Sequence, residues 1–302
     1  MRLRRTALVA GVAAAALSLA ACGGGGGGGN SGSGGSGSAT VAEKPTFESG
    51  TTMAQLASAG KVRVGTKFDQ PGFGLKGLSG KPEGFDVEIA KIIAGAMGIS
   101  PDNIEWVETP SAVREEVIEQ GKVDYVVATY TINDKRKERI SFAGPYYVAG
   151  QQLMVKSDNN VVNGPDDLKS HPDQKVCSVT GSTPSEQIKP YLADPASQLV
   201  LFDVYDKCAD ALRTGQVQVV TTDNVILLGY VSKSNGAFKL VGDQFTKEPY
   251  GIGIKKGDVA FCKFIDDTLE KNKDAYTKAW ESTAGKVKGA KTPTLPTPDP
   301  CT

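Results

Sequence analysis

The sequence predicts an α/β protein of two similar lobes joined by two crossover strands, on three observations. Residues 123–128 are a short valine-rich run, launched by Gly121 and followed by Thr129, Tyr130 and Thr131. Such a run has the character of a buried strand in a parallel sheet. The pattern then recurs. Aligning Gly121 with Gly215 lays VIEQGKVDYVVAT (117–129) over ALRTGQVQVVTTD (211–223): helix end, glycine, apolar strand, polar strand end. The third observation is a pair of extended stretches, 145–155 and 248–254, placed to carry the chain to the second lobe and back. Two crossovers make a hinge, which allows closure around a ligand.

Length, charge and histidine content limit the function. A chain of 302 residues is long enough for two domains, and its 34 basic and 34 acidic residues cancel. There is no basic stripe to suggest nucleic acid. The single histidine, His171, sits in a Ser-His-Pro turn, which argues against histidine catalysis and a histidine-rich metal site. No cofactor and no metal is expected.

At the amino end, Arg2, Arg4 and Arg5 precede an apolar run over 7–20, a secretory leader too short to stay as a membrane span. It ends Leu19-Ala20-Ala21-Cys22, similar to a bacterial lipobox, so 1–21 reads as a signal peptide and Cys22 as the lipidated residue. Removing the three leader arginines leaves 31 basic residues against 34 acids, about −3. Residues 23–38 are nearly all Gly and Ser and bury nothing, so 22–51 reads as a tether. Beyond it, 52–148 with 251–302 makes the first lobe and 149–250 the second.

Four further cysteines, Cys177, Cys208, Cys262 and Cys301, suggest two disulfides in an exported chain. They contain no CxxC, which disfavours zinc. Of three possible pairings, Cys177–Cys208 with Cys262–Cys301 is favoured, because each bond stays within one lobe.

The remaining elements follow in order. Residues 53–59 suit a short helix, 61–66 (KVRVGT) the first strand, and 68–80 a glycine-rich loop. A helix runs to Met97, with Ile89, Ile92, Ile93 and Met97 at helical spacing against the sheet. A strand over 103–107 and a helix over 112–119 containing Arg114 lead to the opening run. Asn133 then caps a short helix bearing Arg136. In the second lobe a short helix over 166–169 precedes the strand 175–180. Thr183 reads as the next N-cap, with Pro184 and Glu186 completing a capping box. A helix (225–232), a strand (238–241) and two closing helices (259–272 and 274–282) complete the chain.

Both lobes thus aim polar strand ends at one cleft, the place where open α/β sheets bind ligands. Lys67, Thr129, Thr131 and Arg136 stand on one side, Thr183 and Asp223 on the other. Basic groups opposed by one acid suit a zwitterion carrying an extra negative charge.

These residues resemble the family 3 solute-binding proteins, which bind polar amino acids for ABC importers. Gly84-Phe85-Asp86-Val87-Glu88-Ile89 through Met97 agrees with that family's signature, and 129–136 (TYTINDKR) is similar to its Thr-x-Thr…Arg motif. The resemblance implies a two-lobed periplasmic-binding-protein fold of type II, acting as a monomer and not an enzyme. It gives the ligand α-carboxylate to Arg136 and the Gly181-Ser182-Thr183 turn, and the α-ammonium to Asp223. Lys67 and Arg114 match cations used by binders of acidic amino acids, which implies L-glutamate or aspartate. KFDQPGFGLK (67–76) looks much like actinobacterial glutamate-binding lipoproteins, on the outer face of a Gram-positive cell membrane. Gln70 stands where the family carries an aromatic platform, leaving Phe68 and Phe73 as stand-ins. The competing readings are a glutamine receptor, a cyclohexadienyl dehydratase-like enzyme on this fold, and a surface adhesin.

Overall fold

A computed structural model describes residues 39–302 of the chain. The expected leader, Cys22 and the Gly/Ser run lie outside the described residues. Within them no helix is long and apolar enough to cross a membrane.

The first lobe opens with α1 (Thr52–Ala59), β1 (Val62–Thr66), β2 (Asp69–Gln70), β3 (Gly74–Lys76), β4 (Pro82–Glu83) and α2 (Phe85–Ala96). It continues with β5 (Ile104–Glu108), α3 (Arg114–Glu119), β6 (Tyr125–Val126), α4 (Asp134–Lys137) and the long β7 (Ser141–Ala149). The second lobe runs through β8 (Gln151–Lys156), β9 (Val176–Val179), α5 (Thr183–Gln187), α6 (Pro195–Gln198), β10 (Leu199–Phe202) and α7 (Tyr205–Thr214). It then adds β11 (Val219–Asp223), α8 (Asn224–Lys233) and β12 (Phe238–Val241). β13 (Glu248–Ile254) returns the chain to the first sheet, and α9 (Val259–Lys271) and α10 (Lys273–Ser282) finish it.

Two five-stranded sheets result, ordered β5-β1-β6-β13-β7 and β10-β9-β11-β8-β12. In each, the first three strands are parallel and the fourth runs against them. β7 and β13 pair antiparallel, with Ala149 opposite Glu248 and Tyr147 opposite Tyr250, and form the hinge. Both faces of each sheet are apolar and covered, as parallel strands require. In the first lobe Ile89 and Ile93 of α2, with Met97 at its carboxyl-terminal cap, pack with Val64, Tyr125 and Trp280, while Val126, Ile118 and Tyr130 fill the other face. Met154, Cys177 and Leu212 form one core of the second lobe, and Leu153, Val176 and Leu168 the other.

The disulfides are Cys177–Cys208 and Cys262–Cys301, each inside one lobe. The first joins β9 to α7 in the core; the second holds the Pro-rich tail against α9.

Four local expectations change. The loop after β1 contains a small sheet, in which β3 pairs with both β2 and β4. The regular part of β6 is shorter than 123–128, because Thr129 takes a left-handed backbone (φ 45°) and turns the chain. The N-cap of α5 is Ser182, whose Oγ accepts from Ser185 N, so Thr183 is the first helical residue and no capping box forms. Residues 39–51, grouped with the tether, lie along the first lobe. Ala42 N donates to Gly95 O, and the Phe47 ring meets Phe264 edge-on at 5.5 Å.

Candidate ligand-binding site

The site forms where the parallel strands of both sheets end. In the first lobe its anchor is Asp86, fully buried in the first turn of α2. One carboxylate oxygen accepts from Thr129 N at 2.8 Å and the other from Tyr146 Oη at 2.6 Å. That pair of bonds holds Thr129 in its unfavourable backbone region, and Thr129 Oγ1 donates on to Gln70 Oε1 at 3.0 Å. Burial, eased by both donors, pushes the Asp86 carboxyl up to about 6.

Three cations surround this strand end. Lys67 is 3% exposed and donates to Ser111 Oγ at 2.8 Å. Burial, then the Arg114 charge, pushes its ammonium down to about 7. Arg114 opens α3 and donates from Nη1 to Ala128 O at 2.8 Å. Two guanidinium groups lie over the Tyr130 ring, that of Arg114 at 4.1 Å from its centre and that of Arg136 at 5.0 Å. Each nitrogen of Arg136 has a protein partner: Nη1 donates to Thr131 O at 2.6 Å, Nη2 to Gly181 O at 3.0 Å, and Nε pairs with Glu115 at 3.1 Å. Burial, then Arg114, brings Arg136 down to about 10.

From the second lobe, Ser182 tightens the turn before α5 by donating to Val179 O at 2.8 Å. Thr183 reaches across to Glu248 Oε2 at 2.8 Å and to Thr131 Oγ1 at 3.3 Å. Asp223, ending β11, accepts from Tyr250 Oη at 2.5 Å. Burial, then the neighbouring Glu248, pushes its carboxyl up to about 7. The lobes are closed on one another. A Cβ on Gly181 (φ 77°) would sit 2.7 Å from the Ala112 Cα across the cleft.

A narrow pocket, with a cavity volume of only about 10 Å³, lies between them. Six of the sequence-derived residues line it: Arg114, Thr129, Thr131, Ser182, Thr183 and Asp223. Lys67 stands behind it, linked through the lining residue Ser111, and Arg136 lines an adjoining outer groove with Glu115. Neither phenylalanine proposed as a platform takes that place. Phe73 is core, edge-on to Phe85 at 5.9 Å, and Phe68 lies under Lys76; the aromatic ring lining the pocket is that of Tyr205. Sequence reasoning also missed Ser111, Thr222 and Glu248, which follow no motif and come to the cleft through tertiary packing.

The lining holds buried polar atoms with no protein partner: the donors Gln70 Nε2 and Arg114 Nε, the hydroxyl of Thr222, and the acceptor Asp223 Oδ1. Unpaired buried groups are costly unless a ligand meets them. Donors on one wall and an ionisable acceptor on the other suit a small molecule bearing both signs of charge.

Known proteins agree with this geometry. The model of the bacterial extracellular solute-binding proteins, family 3, matches residues 62–280. Glutamate-binding protein GluB of Corynebacterium efficiens is 40% identical over 235 residues, covering 74% of this chain and 78% of that protein. The ABC transporter glutamine-binding protein GlnH of Bacillus subtilis is 37% identical, over 76% of this chain and 84% of its own length. Among solved structures, an ancestral arginine-binding protein bound to glutamine is 35% identical with a TM-score of 0.69, covering 75% of this chain and 99% of that one. With the motifs, the doubled sheet and the lined cleft in agreement, this chain belongs to the bacterial extracellular solute-binding proteins of family 3.

Proposed function

We propose that this protein is the receptor of an ABC importer, tethered to the outer face of the cell membrane by lipid on Cys22, and that it closes on L-glutamate. The observation that carries the choice of ligand is the charge of the cleft. Lys67, Arg114 and Arg136 converge on the strand end opposite Asp223, whose Oδ1 is unpartnered. Glutamate brings two carboxylates and one ammonium, which is the matching set. In this reading Asp223 accepts the ammonium, Arg136 with the Ser182–Thr183 turn takes the α-carboxylate, and Lys67 with Arg114 meets the second carboxylate. An unpaired carboxylate in a closed cleft would cost several kcal/mol. The GluB similarity supports the same ligand.

Calorimetric titration with the twenty amino acids tests this. Glutamate is expected to bind tightest, aspartate next and glutamine far more weakly. A preference for glutamine would leave a generic amino-acid receptor. The enzyme reading draws on one observation, a lysine held near neutral pKa in the cleft. Product release from prephenate or arogenate would favour it over the receptor.

A further inference from the structure

We infer that Asp69 is an inter-lobe latch: it caps helix α7 of the opposite lobe in the closed state and so sets affinity without touching the ligand. The inference rests on the receptor reading above.

Helix α7 starts without a cap of its own. Its N-cap residue is Val204, whose side chain offers no acceptor, so the first N–H groups need a partner from elsewhere. Asp69, on β2 of the first lobe, supplies it: Oδ2 accepts from Tyr205 N at 2.7 Å. A carboxylate at this end also opposes the positive end of the helix dipole. The neighbouring helix joins in. Tyr230 Oη of α8 lies 2.6 Å from Asp69 O and 2.9 Å from the Asp206 carboxylate of α7.

Asp69 is 5% exposed, and its side-chain hydrogen-bond partner among the described residues is in the second lobe. The approach is close. A Cβ on Gly229 of α8 would stand 2.5 Å from Pro71 O, just past β2. Opening the lobes uncovers the Asp69 carboxylate and leaves α7 uncapped. Asp69 itself does not line the pocket, but its neighbour Gln70 and its partner Tyr205 do. The latch therefore reports closure at one wall of the site.

When a binding-competent state is a minor population of the free protein, apparent affinity scales with that population. A bond made in the closed state alone then appears in full as affinity. Asp69 is a positioning residue in this scheme, and three readouts separate that role from a structural one.

The test is titration of wild type, Asp69→Ala and Tyr230→Phe with L-glutamate and L-glutamine, and melting of each protein with and without ligand. Asp69→Ala is expected to weaken both ligands alike, about five- to thirtyfold, the loss of a helix cap read as affinity. Tyr230→Phe loses less, up to about tenfold. The glutamate-to-glutamine ratio and the ligand-free melting temperature stay at wild-type values. Affinity within twofold of wild type overturns the latch. So does a changed ligand ratio, which would make Asp69 a ligand contact. A lower ligand-free melting temperature, or failure of Asp69→Ala to fold, would make it structural and overturn it too. Wild type binding neither amino acid would remove the receptor reading first, and this inference with it.

Discussion

Strand β6 of the first lobe and strand β11 of the second hold the same place in sheets of matching order, yet the first leads into Thr129, three residues past its end, and the second ends on Asp223. The first lobe's strand ends and short helices gather Lys67, Arg114 and Arg136; the second lobe offers Ser182, Thr183 and Asp223. The repeated topology decides where each lobe aims its polar groups, and the residue types decide which part of a ligand each recognises. An ammonium is common to all amino acids, whereas a side-chain carboxylate is not. In the proposed function the second lobe, helped by Arg136, reads the class of ligand, and Lys67 with Arg114 of the first adds the reading of its side-chain charge.

The largest expected effects divide along that line. Asp223→Asn removes the countercharge for the ammonium and should weaken glutamate and glutamine together by about 2–5 kcal/mol, roughly thirty- to several-thousandfold. Lys67→Met and Arg114→Met should weaken glutamate sharply and glutamine little, narrowing the gap between them. Titration of all three variants with both ligands decides it. An Asp223→Asn protein that loses one ligand and keeps the other would break the division between the lobes.

What could be read in the sequence has a physical pattern. The two sheets were legible because residues 117–129 and 211–223 repeat a helix end, a glycine and an apolar run. The disulfides were legible because four cysteines in an exported chain pair off within lobes. The N-cap of α5 slipped by one residue because Ser182 and Thr183 are both good caps, and the tight turn from Val179 settles the choice. The early end of β6 could not be read, since it depends on Asp86, 43 residues upstream, holding Thr129 N. Phe73 had the composition of a ligand platform and the position of a core residue. Glu115, which pairs with Arg136, belongs to an ordinary acidic helix until α3 and α4 meet.

The disulfides give a second, smaller contrast. Their sequence separations of 31 and 39 residues imply nearly equal loop entropies, about 4 kcal/mol each. Their surroundings differ. Cys177 and Cys208 are both 0% exposed in a small core, while Cys301 ties down a tail. Replacing Cys177 and Cys208 by alanine should therefore lower melting by roughly 10 °C and loosen the second lobe first. Replacing Cys262 and Cys301 should free the tail and leave the larger first-lobe core folded. Hydrogen exchange measured lobe by lobe distinguishes them; equal loss of protection in both lobes would contradict the contrast.

The smallest effect, and the one that weighs the lobes against each other most directly, is pH dependence. Lys67 in the first lobe is brought down to about 7 by burial and then by Arg114. Asp223 in the second is pushed up to about 7 by burial and then by Glu248. A ligand carboxylate beside Lys67 favours its charged form, so that contact takes up a proton and weakens as pH rises above about 7. A ligand ammonium beside Asp223 favours the carboxylate, so that contact releases a proton and strengthens as pH rises toward 7. Glutamate affinity should therefore peak near pH 7, with each limb changing at most about tenfold per pH unit. Glutamine keeps the Asp223 limb and flattens above it, so the glutamate-to-glutamine ratio falls from pH 7 to 8.5. The ligand-free protein carries the opposite record in its stability. Asp223, raised above its usual 3.8, contributes stability below that value and loses it by about pH 7. Lys67, lowered from 10.5, contributes stability at high pH and loses it as pH falls through about 7. Between them the unliganded protein should melt lowest near neutral pH, where glutamate raises its melting temperature most. Lys67→Met should remove the rise above pH 7 and keep the one below it; a profile unchanged in that variant would separate Lys67 from the cleft's charge balance.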